Sequence, residues 1–214
     1  MPTATLARPA DHRAAGLSAD GAALADGIAR EALRDAMQQL SQAEQADRIG
    51  DAGHASAMCH ALTETARALA GLHAYGPAES YLAQAQRWAL MMGGHDLRAD
   101  LACALAEVAT NAADLARAQG QRARSRAARE RARDHAFEAA RLAALTTDPN
   151  WDVRVLLRAS DVLDRCGDHD DAVQLQQRAL VLMGLGQADL PPVDPQATSQ
   201  GNDTDWLTSP GALM

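Results

Sequence analysis

The sequence predicts an all-α protein, a short solenoid or bundle of about seven helices stacked as antiparallel hairpins. Three observations carry this. Alanine makes up about a quarter of the chain, and it joins the highest helix propensity to a side chain small enough to let backbones approach. Aromatic residues are only 3%, and Val, Ile and Tyr, which fill pleated sheets, are too few for a β-sandwich. Apolar residues recur mostly at steps of three and four between clusters of Gly, Pro, Asn and Asp, which combines a helix period with turn chemistry.

Residues 1–18 mix Pro, Gly, Arg and His without periodicity and read as a flexible N-terminal arm. Ser18 opens the first helix, whose apolar face carries Leu24, Ile28, Leu33, Met37 and Leu40 before Gly50 and Gly53 end it. A second helix is predicted over 55–72, with Met58, Leu62, Ala66 and Leu69 on one side. Gly76 and Pro77 mark the start of a third, because proline is tolerated in a first helical turn. It carries Tyr81, Leu82, Ala85, Trp88 and Ala89 and stops at Gly93 and Gly94. Two longer helices follow over 96–118 and 121–145, separated at Gln119 and Gly120. Asp148, Pro149 and Asn150 form a stop and turn, and the last two helices occupy 151–165 and 170–182. From Gly184 onward Pro, Gly, Ser, Thr, Asp and Gln prevail, which predicts a disordered acidic tail over 185–214. The helical domain is thus expected to span 19–184.

The chain's 214 residues, 47% of them apolar, suffice for one domain with a sizeable core. Its net charge of −8 opposes binding to nucleic acid or to acidic membranes. Every cationic side chain is Arg and none is Lys, which we read as the codon bias of a GC-rich bacterial genome. The three cysteines, Cys59, Cys103 and Cys166, are an odd number far apart, which argues against a disulfide framework and for a reducing cytoplasm. The first residues lack the apolar core of a secretion signal, and no apolar run is long enough to span a bilayer.

The segment 151–182 carries the most specific pattern. Gly167, Ala172, Ala179 and Leu180 keep the intervals of a glycine turn, a small residue and an Ala-Leu pair. Leu156 and Leu163 take large apolar positions upstream, Ser160 stands where glycine is common, and Asp148, Pro149 and Asn150 precede the whole. This resembles a tetratricopeptide repeat. Ala78, Leu82, Ala85 and Ala89, and then Ala132, Ala136, Ala139 and Ala143, resemble degenerate copies of its second helix. The resemblance implies alanines at the helix crossing, with Leu156, Leu163, Leu175 and Leu182 between one hairpin and the next. It also implies a groove that holds a partner's peptide or helix, and no chemistry of its own. A plain alanine-rich bundle would show similar spacing.

The charge pattern points the same way. Arg122, Arg126, Arg129 and Arg133 fall within about 60° of one another on one stripe of a helix, with Arg124 and Arg131 on the other side. Guanidinium groups in a row can grip carboxylates bidentately, and an acidic protein segment is the partner this favours. A merely solvated face is the plainer alternative. Phe137 is the one aromatic nearby, too few for single-stranded nucleic acid. Within the tail, Asp189, Asp194, Asp203 and Asp205 with Trp206 and Leu207 resemble a short linear motif that offers the stripe a partner inside the same chain, and a passive solubilising tail is the plainer alternative.

Soft donors occur at His54, Met58, Cys59 and His60, and again at Met91, Met92 and His95, without a metal-ligand spacing of known specificity. His135 and Glu138 share a helix face, and no nucleophile, zinc or phosphate-loop signature is present. The expectation is therefore a non-catalytic, cytoplasmic protein-interaction module, an adaptor or chaperone-like protein without cofactor or metal. The alternative is a helical-bundle sensor or enzyme subunit that holds a small ligand or metal between helices.

Overall fold

The computed structural model describes residues 11–50, 53–92, 94–146 and 148–185. Among them are seven α-helices and no strand. They are α1 (Asp11–Ile49), α2 (His54–Gly71), α3 (Tyr75–Met92), α4 (His95–Ala118), α5 (Arg122–Ala143), α6 (Pro149–Cys166) and α7 (His169–Leu182). Apart from the start of α1, each end lies within two residues of its expected place. The α1 helix begins at Asp11, inside the segment expected to be an arm. Residues 1–10 and the tail from 186 lie outside the described residues. Residue contacts group the chain into two compact units, Met1–Gly93 and Gly94–Met214.

In the first unit, α1 packs on α2 and α2 on α3. Ala36, Leu40 and Ala43 are buried on α1, and Ala78, Leu82, Ala85 and Ala89 on α3. The latter set is the alanine-leucine stripe anticipated from its spacing. Between them, α2 buries Met58, Cys59, Ala61, Leu62, Ala66 and Ala70. Two buried threonines satisfy their hydroxyls within the helix, Thr63 donating to the Cys59 carbonyl and Thr65 to that of Ala61, each at 2.8 Å. That local bond lets a polar residue occupy an apolar face at little cost.

In the second unit, α4 pairs with α5 and α6 with α7, and α6 also contacts both α4 and α5. One continuous core joins Ala99, Cys103 and Ala106 of α4 to Ala132, Ala136, Ala139 and Ala143 of α5. Leu156, Ala159 and Leu163 of α6 and Ala172, Leu175 and Ala179 of α7 complete it. The alanines sit at the crossings, where any larger side chain would hold the helices apart. Leu182, expected in the interior, is exposed, because no further described helix covers the end of α7.

The turns follow from local chemistry. Asp148 caps α6, its carboxylate accepting from the Asn150 amide at 2.9 Å while Pro149 occupies the first turn. Gly167 closes the same helix in the left-handed conformation (φ 97°), and the Asp168 amide reaches back to the Leu163 carbonyl at 2.9 Å. Gly120 (φ 74°) reverses the chain between α4 and α5 in the same way, with the Gln121 amide on the Ala116 carbonyl at 2.8 Å.

Candidate functional site

The first half of α5 is the most basic surface described: six arginines and one glutamate lie between 122 and 133. The fold divides the anticipated stripe in two. Arg133 turns to α7, its Nε 2.7 Å from an Asp168 carboxylate oxygen. Arg129 lies within 4.0 Å of Asp114 on α4, which Arg165 of α6 also holds at 2.8 Å. These two arginines therefore tie helices of the second unit together. Arg122 and Arg126 remain exposed, with no ion pair among the described residues. Trp206 and Leu207 lie outside the described residues.

Beside that stripe is a feature that spacing alone did not single out. An open groove of about 410 Å³ runs between the end of α4 and the start of α5. Ala112, Leu115 and Ala116 line it from α4, and Ala127 and Ala128 from α5. Gln119 and Gln121 close one end, and Arg124 and Arg131 stand along the α5 side. No acidic residue lines it. Arg124 donates to the Gln121 side chain at 3.1 Å, and Arg131 has no ion pair among the described residues. The groove exists because Gly120 turns the chain tightly while alanines at 112, 116, 127 and 128 fill little of the space between the two helices. Residues 124, 127, 128 and 131 share one face of α5 at steps of three and four. The arginines that flank the groove are thus the two that the helical projection set apart from the stripe.

A second groove of about 420 Å³ lies in the first unit between α1 and α2, over Ala29, Ala32, Ala36, Ala68 and Gly71. Its charges are mixed: Asp35 and Glu64 line it together with Arg67, which pairs with Glu64. The two grooves share an alanine floor and differ in sign.

The other candidates are placed as follows. His54 packs edge-on against Trp88 at 5.9 Å and lies 3.2 Å from an Asp47 carboxylate oxygen. Cys59 is buried with its thiol toward the Ala85 carbonyl, whereas His60 is exposed. The Glu138 carboxylate is held by Arg141 through two hydrogen bonds of 2.8 Å, which lowers its pKa, while burial lowers that of His135. Glu138 is thereby committed to an exposed ion pair on its own helix. All three cysteines are free, and burial pushes the Cys166 thiol up. No described helix is long and apolar enough to cross a membrane. No family model matches the chain, and no curated protein matches it either.

Proposed function

We propose that this chain is a non-catalytic protein-interaction module, an adaptor or chaperone-like protein that takes an acidic segment of a partner into the α4–α5 groove. The observation that carries this reading is the combination of an alanine-lined floor with Arg124 and Arg131 and with no acid in the lining. Small side chains let an incoming helix or extended segment approach the backbone closely, so its apolar residues gain contact along the floor. Apolar burial supplies most of the affinity, at about 25 cal/mol for each Å² removed from water. The arginines select the partner's charge and speed its encounter. We read α6–α7 as a tetratricopeptide-like hairpin whose role is to hold α4 and α5 in place, with Arg165 and Asp168 as its ties to them. We assign the protein to a bacterial cytoplasm, in keeping with its free thiols.

Co-purification from the native cell tests this. At about 0.05 M salt, where screening is weak, one protein with an acidic segment should be retained, and it should be lost at about 0.5 M. The double variant Arg124→Glu/Arg131→Glu should lose it at low salt as well, with an unchanged helical spectrum. A partner bound equally well by that variant would overturn the proposal, as would a stoichiometric metal or coloured ligand in the purified sample.

A further inference from the structure

We infer that the α4–α5 groove is occupied, when no partner is bound, by the chain's own acidic segment 203–207 (Asp203, Thr204, Asp205, Trp206, Leu207). The inference rests on the proposed function only in that a partner would enter by the same groove.

Charge is the first argument. After Arg178 the sequence has no basic residue, and Asp189, Asp194, Asp203 and Asp205 are its only charged side chains. Opposite them, α5 between 122 and 133 carries six arginines and one glutamate. Arg129 and Arg133 are engaged within the fold. Those left over are Arg122 and Arg126, exposed on one side, and Arg124 and Arg131 at the groove. Asp203 and Asp205 lie two residues apart and immediately precede Trp206 and Leu207. Carboxylates could therefore meet the arginines while an indole and a leucine enter the apolar floor. Trp206 is the only aromatic residue after Trp151. The mixed-charge groove of the first unit offers no such match, since Asp35 and Glu64 would repel the same segment.

Reach is the second argument. Successive helices of this unit run antiparallel, as their contacts show. Cys166 at the end of α6 lies against the Arg129 carbonyl, and Asp168 at the start of α7 meets Arg133. At the opposite end Asp152, early in α6, accepts a hydrogen bond from Thr146 and feels the charge of Arg178, late in α7. The chain therefore leaves α7 near the C-terminal end of α5, whereas the groove flanks its N-terminal half. The separation along α5 is about 15 residues, or ~22 Å at 1.5 Å per residue, with a further ~20 Å around the girth of two helices. Residues 186–202 can span at most about 60 Å. Segment 203–207 thus reaches the groove of its own chain with slack, and tethering makes that occupant present at high effective concentration. A partner's acidic segment has to displace it, so the groove opens to strong ligands and is shielded from weak ones.

The test uses the full chain with a photocrosslinker, p-benzoylphenylalanine, at position 207. On irradiation, the monomer should carry internal crosslinks to peptides from 112–131. Their yield should fall several-fold in Asp203→Asn/Asp205→Asn, a change that leaves every described residue untouched. It should also fall in Arg124→Glu/Arg131→Glu and return when that variant also carries Asp203→Arg/Asp205→Arg. Crosslinks that map elsewhere in the monomer, or that appear only between two copies, would overturn the inference. So would a yield indifferent to the aspartates. The two proposals fail separately. Missing crosslinks beside partner binding that depends on Arg124 and Arg131 remove only the self-occupancy. Crosslinks to the groove beside partner binding indifferent to those arginines remove only the partner's route.

Discussion

Arg158 ties α6 to α4 in the second unit. It stands between α6 and α4 with its Nη1 2.5 Å from Asp100 and its Nε 2.7 Å from Glu107. Burial works against its charge, and the hydrogen bond to Glu107 and the neighbouring carboxylates outweigh that and raise its pKa. Removing one member of such a group takes away part of the compensation for the charges that stay half-buried. Arg158→Met should therefore cost about 3 kcal/mol in denaturant unfolding, the lower end for a buried pair because water still reaches part of the network. A variant as stable as the parent would show the network to be dispensable. Asp152 presents the reverse case. Burial holds its carboxyl above the ordinary range, against the hydrogen bond from Thr146 and the charge of Arg178. An acid that binds its proton more tightly folded than unfolded favours folding fully below its unfolded pKa, and loses that contribution as pH rises through the folded value. Asp152→Asn keeps an acceptor for Thr146 and removes the titration. The variant should melt with the parent near about pH 3 and above it at neutral pH, a difference that thermal scans across pH would measure.

At the scale of the element, the α6–α7 hairpin shows how small and large side chains divide the labour. Ala172 and Ala179 are buried at the crossing, and Leu175 fills the core beneath it. Ala172→Leu should push the two helices apart at about 1–3 kcal/mol. Leu175→Ala should leave a cavity costing about 2–5 kcal/mol, read from the urea midpoint. The turn between them has its own requirement. Gly167 sits at φ 97°, where a side chain on Cα is strained, so Gly167→Ala should cost about 1–2 kcal/mol with no core residue touched. Open space lies around that position, so the loss would report backbone conformation alone. If Gly167→Ala unfolds at the parent's midpoint, the turn adopts another conformation in solution.

Across the whole molecule, the distribution of charge bears on the proposed binding. The net charge is −8, yet one half of one helix gathers six arginines. Two exposed charge pairs at the groove are together worth about 0.4–2 kcal/mol, or about 2- to 30-fold in affinity. A partner's affinity should fall by at least that factor on reversing Arg124 and Arg131, because repulsion is added to the lost attraction, with the change concentrated at low salt, as a titration over ionic strength would register. Apolar contact along the alanines has to supply the remainder, so a bulky residue at Ala127 should weaken binding at every salt concentration. A partner that tolerates Ala127→Trp does not use the floor.

Much of this was written in the linear chain. Alanine content, the three- and four-residue steps and the turn residues determined an all-helical fold and the helix ends, because helix propensity, capping and glycine turns act between residues close in sequence. The buried positions Leu156, Leu163, Ala172 and Ala179 were legible for the same reason. Only the tertiary structure decided which arginines remain available. Arg129 and Arg133 looked equivalent to Arg122 and Arg126 on a helical wheel, and Asp114 and Asp168 claimed them from other helices. It also decided that Arg124 and Arg131 flank a groove, and that Leu182 is left uncovered. A helix period specifies the face a side chain occupies; what meets that face depends on contacts between residues distant in the chain, which no local spacing records.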